Sequence, residues 1–199
     1  MKSSLIKALL TLAFTSSVPA AVITSGLRDI VITNNLDGVY LDVDAGTSSS
    51  LETVGWDINP FFGGEAVANS PAFQPARTTI VLDAPILRLG PGQVVDGTLN
   101  YLSGYGGSET QVGNGVGQFA NGVEGYIGFR FTTNASVGPY FGWMRVVLSN
   151  DGSTGLIRDW AYENTGSSIT IPNAVPEPSA FCVMALGAFS LCLRRTRGA

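Results

Sequence analysis

The chain has 199 residues, with 15 Asp and Glu against 11 Lys and Arg and no histidine. Without an imidazole it can build neither a Ser-His-Asp or Cys-His nucleophile system nor a histidine-ligated metal site. Both lysines lie at positions 2 and 7, and residues 21–175 carry six arginines against fourteen carboxylates, a balance of −8, which repels phosphate backbones and argues against nucleic acid as a partner.

The chain opens MKSSLIKALLTLAFTSSVPAAV. Lys2 and Lys7 come first, then an apolar segment from Ala8 to Phe14, then small residues up to Ala20 and Ala21. That order is a secretory signal peptide, so residues 1–20 are expected to enter the Sec export machinery and to be cut off in the Ala20-Ala21 region. Residues 21–172 are then expected to form one exported domain, long enough for a core of its own. Cys182 and Cys192 both lie beyond it, so it has neither a disulfide nor a thiolate metal site.

Short apolar runs separated by turn residues predict an all-β domain. Residues 28–33 (RDIVIT) are the first strand and 34–38 (NNLDG) a turn, since Asn, Asp and Gly tolerate positive φ. In 39–44 (VYLDVD) the period of two turns Val39, Leu41 and Val43 inward and Tyr40, Asp42 and Asp44 outward. Further strands are expected at 54–58, 79–82 and 86–89, with Pro85 as a break, and residues 104–125, rich in glycine, read as a long loop. The clearest pattern is downstream: 126–132 (YIGFRFT), 141–149 (FGWMRVVLS), 155–163 (GLIRDWAYE) and 168–171 (SITI) read as consecutive antiparallel strands, with Asn150-Asp151-Gly152 closing a hairpin. Two packed sheets, a β-sandwich or jelly-roll, would bury one face of each strand.

Three groups of residues could carry chemistry. Strict alternation places Arg130 with Tyr126, Arg145 with Trp143, and Arg158 with Trp160 and Tyr162. If the strands are neighbours these form an arginine-aromatic face, suited to a glycan because rings stack on sugars while guanidinium groups donate to hydroxyls; the plainer reading is a structural ladder closing a sheet. Asp42 and Asp44, with Asp37 near, could hold Ca²⁺, although no EF-hand spacing is present and a solvated strand end explains them as well; no other cofactor is expected. A glycosidase needs two carboxylates about 5 to 9.5 Å apart, and Asp57, Glu65, Asp83, Asp96, Glu109, Glu124, Asp159 and Glu163 offer many pairs with nothing to single one out. Glu163 reads as a strand residue meeting water. No catalytic motif is present, so the domain is expected to be non-enzymatic.

The C-terminus supplies the most specific signal. Val175-Pro176-Glu177-Pro178 precedes a fourteen-residue largely apolar run, 180–193, and then Arg194, Arg195 and Arg197. A helix spanning a bilayer needs about 20 apolar residues, so the run is short for a permanent anchor, and the arginines favour the cytoplasmic side. The two prolines keep the linkage extended. This order of elements, over 173–199, closely resembles the PEP-CTERM sorting signal of Gram-negative bacteria. The phrases YIGFRF, YFGWMRV and DWAYE, and less specifically DIVITNNLDGVYLDVDAGT, are similar to segments of such substrates. The resemblance implies a tail held transiently in the inner membrane and cleaved by an exosortase, release to the cell surface or exterior, and association with exopolysaccharide and biofilm. A permanent anchor is the alternative.

Overall fold

The computed structural model describes residues 21–81, 84–102, 112, 118–133 and 138–173. The expected signal peptide, the sorting tail and most of the glycine-rich stretch 104–125 lie outside the described residues. In chain order the strands are β1 (Val22–Thr24), β2 (Ile30–Ile32), β3 (Tyr40–Asp42), β4 (Thr47–Ser49), β5 (Ile58–Phe61), β6 (Ala66–Asn69) and β7 (Phe73–Arg77). There follow β8 (Arg88–Leu89), β9 (Val94–Val95), β10 (Asn100–Tyr101), β11 (Glu124–Phe131), β12 (Tyr140–Val147), β13 (Gly155–Glu163) and β14 (Ile169–Thr170). One short 3-10 turn, Phe62–Gly64, is the helical element among the described residues.

Among the described residues the named strands all pair antiparallel, with one isolated parallel bridge between Val112 and Phe119. The main sheet runs β1-β13-β12-β11-β7-β10, with β2 also on β13 and β8 also on β11; β4-β3-β5-β6 form a second sheet, and β9 with β14 a ribbon. The hydrophobic pattern of the three long strands sets this arrangement. Ile127, Phe129 and Phe131 of β11 point to one side with Met144, Val146, Ile157, Trp160 and Tyr162, and meet Leu41, Val43, Ile58 and Val67 of the second sheet. Tyr126, Phe141, Trp143 and Ala161 point to the other side and meet Leu89, Val95, Ile169 and Ile171. The expectation that each strand would bury one face is therefore corrected for β11 to β13, where the ribbon and β8 cover the second face. Each large side chain so enclosed stabilises the fold by about 1.5–3 kcal/mol.

Close approach explains a glycine in the middle of β12. Gly142 lies opposite Phe129 on β11 and Tyr162 on β13, and a Cβ there would run into the Phe129 ring and stand 2.7 Å from the Ala161 carbonyl. The Phe129 ring occupies the space a side chain at 142 would take, and meets Phe73 in turn with the ring centres 4.7 Å apart and the planes tilted by 30°.

Strand β13 holds one residue more than its partner. Arg145 faces Asp159 while Val146 faces Ile157, so Arg158 is extra, and the alternation shifts by one there. The carbonyl of Arg158 accepts hydrogen bonds from the N–H groups of Arg28 and Asp29. These residues lie where the edge segment breaks between β1, paired with 161–163, and β2, paired with 155–157.

Several sequence expectations change. Val39, Leu41 and Val43 are buried as alternation requires, but the turn at 34–38 carries the chain from the main sheet to the second sheet and closes no hairpin. The strand expected at 54–58 starts only at Ile58, and Val54 is fully exposed. At 79–82 no strand forms over the described residues, and Ile80 and Val81 are exposed; the strand comes earlier, at β7. Pro60 and Pro75 sit inside β5 and β7, facing Val67 and Phe129, where the ladder needs no N–H from them. The segment 168–171 pairs with β9, not with β13.

Candidate functional site

The arginine-aromatic residues do not share one face. Tyr126 lies opposite Arg145 and Gly128 opposite Trp143, and Tyr126 and Trp143 meet edge to face at 5.7 Å. Trp160 and Tyr162, displaced by the extra Arg158, belong to the opposite core. The Trp160 indole N–H donates to the Val43 carbonyl at 3.0 Å, inside that core. Arg145 donates twice to Asp159, at 2.9 and 2.7 Å, with Glu124 at 3.6 Å. Burial works against its charge, but the hydrogen bonds and attraction to Asp159 prevail and hold its pKa above the usual value. Arg158 pairs with Asp29 at 2.7 Å, with both side chains substantially exposed. Arg130 stands over the Tyr101 ring at 4.6 Å and donates to Gln74 at 2.8 Å. Trp143, Trp160 and Tyr162 are each less than a tenth exposed, so they serve as packing and not as a sugar platform.

Glu163 is also placed differently from expectation. It is 3% exposed and accepts hydrogen bonds from the Thr165 hydroxyl at 2.6 Å and from the N–H groups of Thr165 and Ser167. Burial alone would raise its pKa, but those hydrogen bonds outweigh it and hold the carboxyl below its usual range. Asp151 anchors the β12–β13 connection in the same way, accepting from Ser149, Ser153 and Asn121, so Asn150-Asp151-Gly152 is the braced tip of a connection longer than a tight hairpin.

Among the described residues, the carboxylates that converge as a group of three are Asp42, Asp44 and Asp57, each placing an oxygen within 4.8 Å of the others. β3 delivers Asp42, the turn after it delivers Asp44, and the pairing of Leu41 with Ile58 sets Asp57 alongside. Asp57 is 5% exposed and accepts from the Val43 N–H at 2.8 Å. Burial first, then repulsion from Asp42 and Asp44, push its pKa up to about 7 against that hydrogen bond. Asp42 is also raised, by burial and by the neighbouring Asp44, although the Ala45 N–H opposes this. Gly55 runs past with φ 89°, its missing Cβ 3.1 Å from an Asp42 oxygen, so a larger residue would close the approach. Sequence reasoning saw Asp42 and Asp44 on one strand face but left Asp57 among the scattered acids; only the β3–β5 register joins them.

The three carboxylates lie in a cleft of about 770 Å³ that Glu52 and Trp56 also line. The Trp56 indole N–H donates to Glu52 at 3.0 Å, and its ring meets Tyr40 edge to face at 5.3 Å. Three such oxygens match the hard-donor set that Ca²⁺ prefers. They also place a carboxyl that holds its proton near neutral pH beside carboxylates, as acid-base chemistry requires. Of the other sequence candidates, Asp83 and Glu109 lie outside the described residues, and Asp96 is taken up by Thr98.

The family model of the PEP-CTERM protein-sorting motif matches residues 174–197. The C-terminal region is a PEP-CTERM sorting signal. The match spans Val175-Pro176-Glu177-Pro178, the apolar run and Arg194, Arg195 and Arg197. A PEP-CTERM signal implies export, a membrane-held passage and processing by an exosortase. Among the described residues no helix is long and apolar enough to cross a membrane, and the PEP-CTERM segment lies outside them. No curated protein and no solved structure matches the chain.

Proposed function

We propose that this is a non-enzymatic protein of the cell envelope or extracellular matrix. Residues 1–20 direct export and are removed, residues 21–172 fold as a β-sandwich-like domain outside the cell, and residues 173–199 hold the chain at the inner membrane until an exosortase cuts it. The PEP-CTERM match at 174–197 carries this reading. The acidic, lysine-free domain suits a soluble exported life, and association with exopolysaccharide in a biofilm gives the released domain its setting. Mass spectrometry of the C-terminus of the protein recovered from its host tests the proposal. A chain ending near Pro176 to Pro178 supports sorting, and an intact Ala199 would establish a permanent anchor instead.

A second reading, calcium binding, is favoured by the convergence of Asp57 with Asp42 and Asp44. Anything that binds only the folded state raises the melting temperature as its concentration rises. A calcium titration that leaves the melting temperature unchanged removes this reading.

A further inference from the structure

The cleft beside the three aspartates does not end there. A second hollow of about 320 Å³, holding Gln74 and Arg130, shares Pro71, Ala72 and Thr132 with it. The two adjoin as one groove, with Glu52 and Trp56 lining the larger part and Arg130 the smaller. Its larger part falls in the range of ligand pockets, about 300–1,000 Å³.

Each part of the groove offers a different half of a sugar's chemistry. Trp56 is half-buried, fixed by its hydrogen bond to Glu52 and by the edge contact with Tyr40. A ring held in one orientation can stack on the apolar face of a pyranose at little entropic cost. Val54, fully exposed beside it, extends the apolar rim. Thr53, Ser70, Thr132 and Thr133 bring hydroxyls, and the aspartates bring acceptors for ligand hydroxyls. No lysine or arginine is among the described residues lining the larger part, so they repel a polyanionic chain there. The smaller part adds donors, the Arg130 guanidinium and the Gln74 amide.

We propose that this groove binds a neutral linear glycan, with Trp56 as the stacking platform, the hydroxyl and carboxylate groups reading its hydroxyls, and Arg130 and Gln74 engaging a sugar unit further along the chain. The inference deepens the exopolysaccharide part of the proposed function and names its site. It does not depend on the fate of the tail, so C-terminal mass spectrometry and glycan binding can fail separately.

The test is calorimetric titration of the protein recovered from its host, in calcium-containing buffer. The probes are cellohexaose, xylohexaose and mannohexaose, with polygalacturonate as the anionic arm and an unrelated neutral peptide as the competing chemistry. At least one neutral hexasaccharide is expected to bind, with Trp56→Ala weakening it by about tenfold or more. Thr132→Arg, an exposed position where the two hollows join, is expected to weaken it comparably by filling the groove, and keeps the test valid if Trp56→Ala fails to fold. The proposal is overturned if no neutral hexasaccharide binds, if a folded Trp56→Ala or Thr132→Arg binds as the parent does, or if polygalacturonate or the peptide binds more tightly.

Discussion

The β11–β13 block and the Asp42-Asp44-Asp57 cleft lie on one scaffold but are built on opposite terms. In the block, polar groups are matched: Arg145 has Asp159, Trp160 has the Val43 carbonyl and Glu163 has three donor groups around it. In the cleft, carboxylates crowd together with no basic residue among the described residues that line it, and one is pushed up to about 7. Folding accounts for the first arrangement. The second costs stability, which is the physical reason to look for a ligand there.

The sharpest way to break the contrast is to disturb the block. Gly142→Ala places a methyl group against the Phe129 ring and the Ala161 carbonyl. It is expected to cost about 2–4 kcal/mol, measured by denaturant unfolding. An unchanged midpoint would mean that the Phe129 ring does not fill the space beside Gly142 as described.

A smaller effect of the opposite kind is expected in the cleft. The folded chain holds a proton on Asp57 more tightly than the unfolded chain does, because its folded pKa lies above the ordinary carboxylate value. The stability this lends is present at acidic pH and is lost as pH rises from about 4 towards 7. Asp57→Asn retains an acceptor for the Val43 N–H and is expected to flatten that fall, raising the melting temperature at pH 8 by several degrees. Parallel pH profiles for parent and variant would refute the assignment.

The smallest effect is expected at the rim. Arg158 and Asp29 touch at 2.7 Å but are both open to water, so Arg158→Ala is expected to cost less than about 1 kcal/mol in the same unfolding assay. A larger loss would show that the side chain at the extra residue of β13 helps to hold the β1–β2 edge in place.

The long strands were legible in the sequence because alternating aromatic and apolar residues over eight or nine positions leave little room for another register. The cleft was not. Its members come from a strand, a turn and the residue before another strand, and the pairing of Leu41 with Ile58 that joins them leaves no periodic trace. Prolines hid β5 and β7, since Pro60 and Pro75 lie at positions where the sheet can do without their missing N–H. The arginine-aromatic face was misread for two reasons. The ribbon and β8 cover Trp143 on the face it keeps with Arg145. Alternation carried Trp160 and Tyr162 along with Arg158, while one added residue passes them to the other side of the sheet.

That added residue also shapes how the gene for such a domain can change. Deleting Arg158 would leave Ile157 followed by Asp159 and Trp160, a strand that alternates without interruption and keeps every pairing with β12. Trp160 and Tyr162 would still share the core with Ile157, and Ala161 would still face the ribbon. The loss would fall on the edge, where the Arg158 carbonyl holds the N–H groups of Arg28 and Asp29. A frame-preserving loss of three nucleotides there would loosen the edge and leave both interiors filled.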